Sequence, residues 1–301
     1  MSMFTWHLRS QLRRLRSLWL LFALMFLGGV VAAAAGMIWY QRFNHHVTAQ
    51  EVSHEVRHTN FDASIRDNAA VKLQLYQQAN ARAQPLVLFT SGDGGWSPFC
   101  ADIAAHIAAT GKTVVGFNAK EYLTTFFSSQ KPVTPQELML DYRRIIDAGL
   151  ARSGVDPKAP ITLVGWSLGA GYSVLVGSDD ELKPQVDQVI AISLPRYNEL
   201  AWKPSDALIY ITHGTPHEKV FEAQDYLAKL APVSLLMLNA TDDDTSSLPE
   251  AQSLFEKATS PKYFYQVKAS GHHFEGGESE FYQDLDDGLS RPSRGISTRS
   301  S

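Results

Sequence analysis

From residue 69 onward, short apolar runs alternate with longer stretches in which apolar and polar residues mix at helical spacing. Short runs rich in Val, Ile and Leu are typical of strands buried on both faces, and parallel strands of this kind are joined by helices. The pattern therefore predicts an α/β fold with a mostly parallel sheet and helices on both faces. The predicted strands are Val71–Tyr76, Leu86–Thr90, Thr113–Phe117, Ile161–Val164, Gln188–Ser193, Leu208–Thr212, Val233–Leu238 and Tyr263–Val267, with Leu208–Thr212 as an extra antiparallel strand, and the predicted helices are Pro98–Ala109, Pro135–Ala151, Leu168–Val176, Lys219–Leu230, Pro249–Ala258 and Glu278–Leu289.

The N-terminus has a different pattern, with arginines followed by an uncharged apolar run over residues 18–40. An apolar helix of this length crosses a hydrocarbon core of about 30 Å, and basic residues before it favour a cytoplasmic N-terminus. We predict a cytoplasmic segment at 1–17 and a single-pass inner-membrane anchor at 18–40, with the rest in the periplasm. The alternative is a cleaved signal peptide, for which Ala32–Ala35 offers Ala-x-Ala sites, and a soluble periplasmic protein.

Three further boundaries follow from composition. Residues 41–68 are polar and weakly periodic, which predicts a linker between the anchor and the folded domain. The folded domain is predicted over 69–289, and the tail 290–301, rich in Ser and Arg, is predicted to be disordered. The histidines in 41–68 have no fixed spacing and no cysteine support, so we predict neither a metal site nor a cofactor.

Charge and cysteine content restrict the function. The chain has 27 Lys and Arg and 31 Asp and Glu, and four arginines precede the apolar run, so the exported part has 23 against 31, a net charge of −8. Such a balance argues against a nucleic-acid-binding surface, which needs cations to neutralise phosphates. The single cysteine, Cys100, excludes an intramolecular disulfide, so stability must come from a packed core.

The most informative segment is the predicted strand Ile161–Val164 together with the residues that follow it. Residues 165–169 read Gly-Trp-Ser-Leu-Gly, and small residues that can open a helix come next. This is the sequence form of the strained strand-to-helix turn that exposes a nucleophilic serine in the α/β-hydrolase fold. A Cβ at either glycine would clash with the strand or the helix, so Ser167 is the predicted nucleophile. The alternative is an ordinary glycine-rich turn, and the partners of the serine decide between the two.

In this fold an acid and then a histidine follow the serine in chain order. Three aspartates at 242–244 come directly after an apolar strand, at the sheet edge where open α/β sheets place their sites. The predicted acid is Asp242 or Asp243, and the sequence does not separate them. A glycine precedes His272 and His273 after the last predicted strand; we assign His272 as the general base, with His273 as the alternative.

Acyl transfer also needs hydrogen-bond donors for the oxyanion that develops on the carbonyl. One is predicted to be the backbone N–H of Leu168, directly after the nucleophile, and the other to lie in the loop after an early strand. That loop, at 90–96, has three glycines that allow backbone amides to approach a ligand. We assign the second donor to Gly92 or Asp93; the Asp93 carboxylate is a candidate partner for a substrate ammonium group or a brace for its own loop. The candidate oxyanion and substrate-binding set is Leu168, Gly92, Asp93, Gly94 and Trp96.

Together these motifs resemble the bacterial VirJ/AcvB virulence-protein family. The resemblance rests on Ser-Gly-Asp-Gly-Gly-Trp at 91–96, Gly-Trp-Ser-Leu-Gly-Ala at 165–170, the acids at 242–244 and Gly-His-His-Phe at 271–274, and it spans about Pro85 to Asp287. It implies a periplasmic α/β-hydrolase that removes amino acids from aminoacylated phosphatidylglycerol, notably the lysyl form. The chain departs from the family pattern at Ala240, where a glycine is common, and it lacks the longer N-terminal module of AcvB-type proteins.

The sequence therefore predicts a membrane-anchored serine hydrolase that cleaves the aminoacyl ester of lysyl- or alanyl-phosphatidylglycerol. One alternative is a general exported carboxylesterase or lipase. The other is a non-catalytic, hydrolase-like chaperone or secretion partner that binds another protein.

Overall fold

The computed structural model describes residues 56–78, 85–126, 132–201, 219–259 and 261–291. The strands in these ranges are β1 (Val56–Ser64), β2 (Ala70–Gln78), β3 (Leu86–Thr90), β4 (Thr113–Phe117), β5 (Ile161–Trp166), β6 (Val186–Ile192), β7 (Tyr197–Glu199), β8 (Val220–Glu222), β9 (Ser234–Asp242) and β10 (Lys262–Ser270). Eight of them form one sheet in the order β1-β2-β4-β3-β5-β6-β9-β10, and β7 pairs with β8 apart from it. From β4 to β10 all neighbours are parallel, whereas β2 is antiparallel to both β1 and β4.

Seven α-helices are found in the same residues. They are α1 (Pro98–Ala109), α2 (Ala119–Thr125), α3 (Pro135–Ser153), α4 (Leu168–Gly177), α5 (Gln224–Leu227), α6 (Leu248–Lys257) and α7 (Glu278–Ser290). Local sequence explains where the longest begins: Thr134 and Glu137 form a reciprocal capping box with a proline in the first turn of α3. That helix ends at Gly154, whose left-handed backbone is typical of a helix C-terminus.

The sheet is covered on both faces, as the apolar strands predict. In β3, Leu86 and Leu88 pack into one core, with residues from α3 and α4, whereas Val87 and Phe89 pack into a second core, with α1 and α7. All five residues of β3 are buried, which explains why this strand has no alternating polar face in its sequence. The predicted α/β fold with a mostly parallel sheet is confirmed.

The strand order also sets the position of a site. Helix α1 follows β3 on one face, and α4 follows the adjacent β5 on the other, so the chain leaves these neighbouring strands in opposite directions. A crevice opens at the carboxyl ends of strands where such a switch occurs. The Gly-rich loop after β3 and the serine after β5 lie at this switch.

Two sequence predictions differ from the structure. The predicted linker 41–68 is wrong in its last part, because Val56–Ser64 is a nine-residue strand paired in full register with β2. It is an edge strand with mostly exposed side chains, so its backbone hydrogen bonds form without an apolar sequence pattern. The predicted helix Lys219–Leu230 is also wrong in its first part, where β8 pairs with β7 before the short helix α5 begins.

Other predictions fall on residues that the structure does not describe. They are the extra strand Leu208–Thr212, the segments 1–17 and 18–40, and all but the first two residues of the tail 290–301. Among the residues that are described, none of the helices combines the length and the apolar character needed to cross a bilayer.

Candidate active site

The turn around Ser167 has the strained geometry that the sequence predicts. Ser167 lies between β5 and α4 with φ 55° and ψ −123°, a conformation that L-residues rarely adopt and that clusters at functional sites. A Cβ added at Gly165 would lie 2.0 Å from the Gly169 carbonyl oxygen, and one at Gly169 would lie 2.2 Å from the Thr90 carbonyl oxygen. Both glycines are therefore required by close backbone approach.

The Gly-rich loop after β3 packs directly against this turn. A Cβ on Gly92 would lie 3.2 Å from Ser167 Cβ and 3.1 Å from the ring of Trp166. The loop keeps its shape through a hydrogen bond of 3.0 Å from Gly95 N–H to the Gly92 carbonyl. The backbone of Gly92 thus lies beside the nucleophilic turn, where the sequence places a second oxyanion donor.

On the other side of the turn, the structure brings Asp243 and His272 together. Asp243 lies just after β9, and His272 lies in the loop between β10 and α7. The Nδ1 atom of His272 is 3.0 Å from each carboxylate oxygen of Asp243. Because an ionised carboxylate only accepts hydrogen bonds, Nδ1 donates and Nε2 presents its lone pair.

The side chain of Asp243 is fully buried, and its surroundings favour the ionised form of the carboxyl group. Burial alone would raise the pKa of Asp243, but the hydrogen bond and charge of His272, with the backbone N–H groups of Ser246 and Thr245, hold that pKa below its ordinary value. Those two N–H groups donate to Oδ1 at 2.8 and 2.9 Å. A permanent negative charge therefore faces the imidazole.

The indole of Trp166 fixes the loop that carries His272. Its Nε1–H donates to the His272 carbonyl at 3.1 Å, and its ring lies 5.2 Å from the His272 ring. Gly271 N–H donates to the Asp242 carbonyl, and Ser270 and Glu275 exchange two backbone hydrogen bonds that close the loop. Trp166, the residue between the glycine and the serine of the motif, thus connects the Ser167 turn to the histidine loop.

The hydrogen bond between the Ser167 hydroxyl and His272 is not formed in this structure. His272 Nε2 is buried and has no hydrogen-bond partner among the described residues. Catalytic hydrogen bonds are often long without substrate and tighten when it binds. The Nε2 lone pair is therefore available to a proton donor that approaches it.

The structure separates the residues that the sequence left open. Asp243 contacts His272, whereas Asp242 is exposed at the end of β9 and takes part through its backbone carbonyl. The His273 ring makes an edge contact with Phe99 and a tilted contact with Trp166, and its Nδ1 lies 3.8 Å from a Glu275 carboxylate oxygen. Burial first, and then the charge of His272, lower the pKa of His273, so the structure disfavours the protonated form of that side chain.

Of the other predicted binding residues, Leu168 begins the helix after Ser167, whereas the contacts of Asp93 and Trp96 are made within their own loop and with the sheet. Leu168 is the first residue of α4, where backbone N–H groups lack an acceptor within the helix. The Asp93 carboxylate accepts the Gly94 N–H at 2.7 Å and so braces its own loop, and Gly94 is exposed with open space around it. The Trp96 ring instead packs over Gly116, where an added Cβ would lie 2.2 Å from it, and beside Phe89, so its packing on the sheet accounts for this residue.

The sequence did not identify two buried serines at the same sheet edge. Ser193 follows β6 with φ 50° and a buried hydroxyl that has no partner in the described residues, and Ser246 contacts Asp243 through its backbone. Neither lies in a recognisable motif, and the contact that joins them, from the Ser246 hydroxyl to the Ser193 carbonyl, spans 53 positions of the sequence. Among the described residues, no group of three or more His, Cys, Asp or Glu could hold a metal ion.

Solved structures with a similar fold include esterases and dienelactone hydrolases. The esterase domain of a Rhodothermus marinus protein aligns with a TM-score of 0.54 and 16% identity over 77% of this chain and 97% of its own. A dienelactone hydrolase from Anabaena variabilis gives 0.56 and 16% over 78% and 98%, and a putative one from Klebsiella pneumoniae subsp. pneumoniae gives 0.57 and 13% over 78% and 100%. At these identities the likeness shows an α/β-hydrolase-like fold. A search of curated proteins found no match.

A family model described as bacterial virulence protein (VirJ) matches residues 84–291. This range is more than half of the chain and includes the Gly-rich loop, the Ser167 turn, Asp243 and His272. The resemblance inferred from those motifs is therefore confirmed, and the chain belongs to the bacterial virulence protein (VirJ) family.

Proposed function

We propose that this protein is a serine hydrolase acting on carboxylic esters, with Ser167 as nucleophile, His272 as general base and Asp243 as the acid that orients the base. The observation that carries the proposal is the buried Asp243–His272 pair beside a serine in a strained strand-to-helix turn. A buried carboxylate on Nδ1 leaves Nε2 to accept a proton, which is the arrangement needed to activate a hydroxyl.

In the first step, Ser167 Oγ attacks the ester carbonyl and its proton passes to His272 Nε2. The imidazolium that forms is stabilised by the Asp243 carboxylate, which stays ionised. The carbonyl oxygen becomes negative and accepts hydrogen bonds from the N–H of Leu168 and from the Gly-rich loop, at Gly92 or Asp93. Pre-oriented donors of this kind stabilise the transition state without reorganisation.

In the second step, the tetrahedral intermediate collapses and the alcohol leaves with the proton held on Nε2. The acyl group is then an ester of Ser167. Water attacks that ester while His272 again takes the proton, so the acid is released and the serine is regenerated.

For the substrate, we propose the aminoacyl ester of aminoacylated phosphatidylglycerol, in its lysyl or alanyl form. The alcohol that leaves is then phosphatidylglycerol, through a hydroxyl of its headgroup, and the released acid is the amino acid. The support is the substrate class that the family resemblance implies, together with the net charge of −8 after residue 40, which suits a cationic aminoacyl group. Exposed Asp242 and Asp244 flank the site with the same sign of charge.

We also propose where the protein is located in the cell. The apolar run 18–40 would anchor the chain in the inner membrane with the hydrolase domain in the periplasm, beside a lipid substrate. This geometry needs no diffusible substrate, because the headgroup lies in the same membrane surface as the anchor.

The first test is labelling of the full-length protein with a fluorophosphonate probe. We expect wild type to be labelled, Ser167→Ala to lose the label, and Ser173→Ala, a buried serine on α4, to keep it. Absence of labelling in folded wild type would overturn the enzyme and favour a binding role with a protein partner. Unlabelled wild-type enzyme is then given lysyl- and alanyl-phosphatidylglycerol beside p-nitrophenyl acetate; hydrolysis of the simple ester alone would overturn the lipid substrate and leave a general carboxylesterase.

A further inference from the structure

The carboxylate of Asp243 is held by the turn that follows it. Thr245 and Ser246 both donate backbone N–H groups to the same oxygen, Oδ1, and Nδ1 of His272 contacts both oxygens. Because two fixed donors define the plane of the carboxylate, the position of this turn determines where the imidazole is held. The turn itself must therefore be fixed to the sheet.

Ser246 supplies that attachment at two further points. Its hydroxyl donates to the Ser193 carbonyl at 3.1 Å, and its own carbonyl accepts the Asn239 Nδ2–H at 3.0 Å. Ser246 is 1% exposed, and Ser193 and Asn239 are fully buried. The backbone and the side chain of one residue thus connect the acid to two strands.

The backbone of β6 links this attachment to the nucleophile. The Ile192 carbonyl accepts the Ser167 N–H at 2.9 Å, and the carbonyl of the next residue, Ser193, accepts the Ser246 hydroxyl. Ser193 has φ 50°, a positive value that non-glycine residues adopt only under constraint from the surrounding structure. Consecutive carbonyls therefore accept hydrogen bonds from Ser167 and from Ser246, the residue whose N–H group holds the acid.

We propose that Ser246, through the hydrogen bond of its hydroxyl to the Ser193 carbonyl, is a positioning residue that sets the Asp243 carboxylate, and with it His272, in register with Ser167. This inference rests on the proposed function of the same site. Ser246 touches no reacting atom; it acts through Asp243.

The test compares Ser246→Ala with Ser178→Ala in the full-length protein. Ser178 is the matched control, because it is also buried and donates its hydroxyl to a backbone carbonyl, that of Leu175, at the far end of α4. We expect Ser246→Ala to lower kcat for p-nitrophenyl acetate about 5- to 10-fold, the value of one neutral hydrogen bond, with KM changed less than about twofold. Ser178→Ala should keep wild-type kcat with a similar loss of thermal stability.

An isosteric pair tests the hydroxyl in case the alanine variant folds poorly. Ser246→Thr and Ser246→Val have the same shape, and only threonine can donate to the Ser193 carbonyl. We expect the threonine variant to exceed the valine variant in kcat by about fivefold. Equal kcat values would overturn the role of the hydroxyl.

A double-mutant cycle with Asp243→Ala separates positioning from general packing. If Ser246 acts through Asp243, Ser246→Ala has no further effect on kcat once the carboxylate is gone. The same fold loss in both backgrounds would overturn the inference, as would wild-type kcat in Ser246→Ala when Asp243→Ala is inactive. Wild-type kcat in Asp243→Ala would instead overturn the proposed site itself.

Discussion

Asp141 and Asp243, both in the part of the chain that the structure describes, have fully buried carboxylates, and their partners are of opposite kinds. Asp141, on α3, accepts hydrogen bonds from the guanidinium groups of Arg66 and Arg144 and from the Tyr122 hydroxyl. Asp243 accepts two backbone N–H groups and faces His272. The first carboxylate is paired with permanent cations, and the second with a group that can change its charge.

This difference separates a structural ion cluster from a chemical one. Arg66 and Arg144 do not lose their protons, and burial together with the charge of Asp141 raises the pKa of Tyr122, so every donor to Asp141 stays protonated. Nothing in that cluster can exchange a proton near neutral pH. An imidazole, by contrast, can change its charge near neutral pH, and the Nε2 atom of His272 is buried with no hydrogen-bond partner among the described residues. A buried carboxylate thus indicates a reactive site only when its partner titrates.

The largest expected effect is on kcat, which should respond very differently when the charge of one aspartate or of the other is removed. In Asp243→Asn the amide can donate to Nδ1, which favours the wrong tautomer of His272, and we expect kcat to fall on the order of 10⁴-fold. Asp141→Asn should keep kcat within about twofold for the folded fraction. The measurement is the initial rate of p-nitrophenyl acetate hydrolysis, normalised to folded protein.

Asp242→Asn is the matched control for that loss, because its side chain is exposed one residue away. It should keep wild-type kcat. A large loss in Asp242→Asn with none in Asp243→Asn would reverse the assignment of the acid.

The second effect is on the free energy of unfolding, and here the larger loss is expected for the Asp141 variant. Asp141→Asn breaks the ion pair of the largely buried Arg66 guanidinium and leaves it the longer 4.0 Å contact with Glu137, and we expect this to cost up to about 3 kcal/mol. Urea unfolding followed by circular dichroism measures this loss. Asp147→Asn, an exposed site on the same helix, should change the free energy of unfolding by less than about 0.5 kcal/mol. Equal stability of the Asp141 and Asp147 variants would show that the cluster contributes no net stability.

The parts of the site that the sequence predicted are those in which the backbone dictates the residue type. Gly165 and Gly169 are needed where a Cβ would meet backbone atoms, so the motif marks the turn around Ser167. Asp242 and Asp243 could not be separated, because side chains alternate along a strand and the sequence ended the strand at Leu238 whereas β9 runs to Asp242.

The parts that were not predicted depend on contacts between distant segments. The Ser246 hydroxyl donates to the backbone carbonyl of Ser193. Because every residue has a backbone carbonyl, the sequence does not indicate which one accepts. The polar side chains of β1 predict a linker, although the backbone of this strand pairs with β2 over nine residues. Asp141 lies within an ordinary amphipathic helix, and only the fold brings Arg66 to it.

The smallest expected effect concerns His273, the second imidazole near the Asp243 carboxylate. Burial first, and then the charge of His272, lower the pKa of His273, against the opposing charges of Glu275, Asp243 and Asp244. From pH 6.5 downward the unfolded chain therefore takes up a proton at His273 before the folded chain does. The free energy of unfolding then decreases as the pH falls through this window.

His273→Gln removes that proton difference, so we expect a shallower decrease in the free energy of unfolding below pH 6.5 than in wild type. The slope difference cannot exceed about 1.4 kcal/mol per pH unit, the limit for one proton. Urea titrations in steps from pH 7.5 downward measure it, with kcat at pH 7.5 as the control, which should change little because His272 still faces Asp243. Identical slopes would show that His273 titrates alike in the folded and unfolded chain, and a lost kcat would make His273 rather than His272 the partner of Ser167.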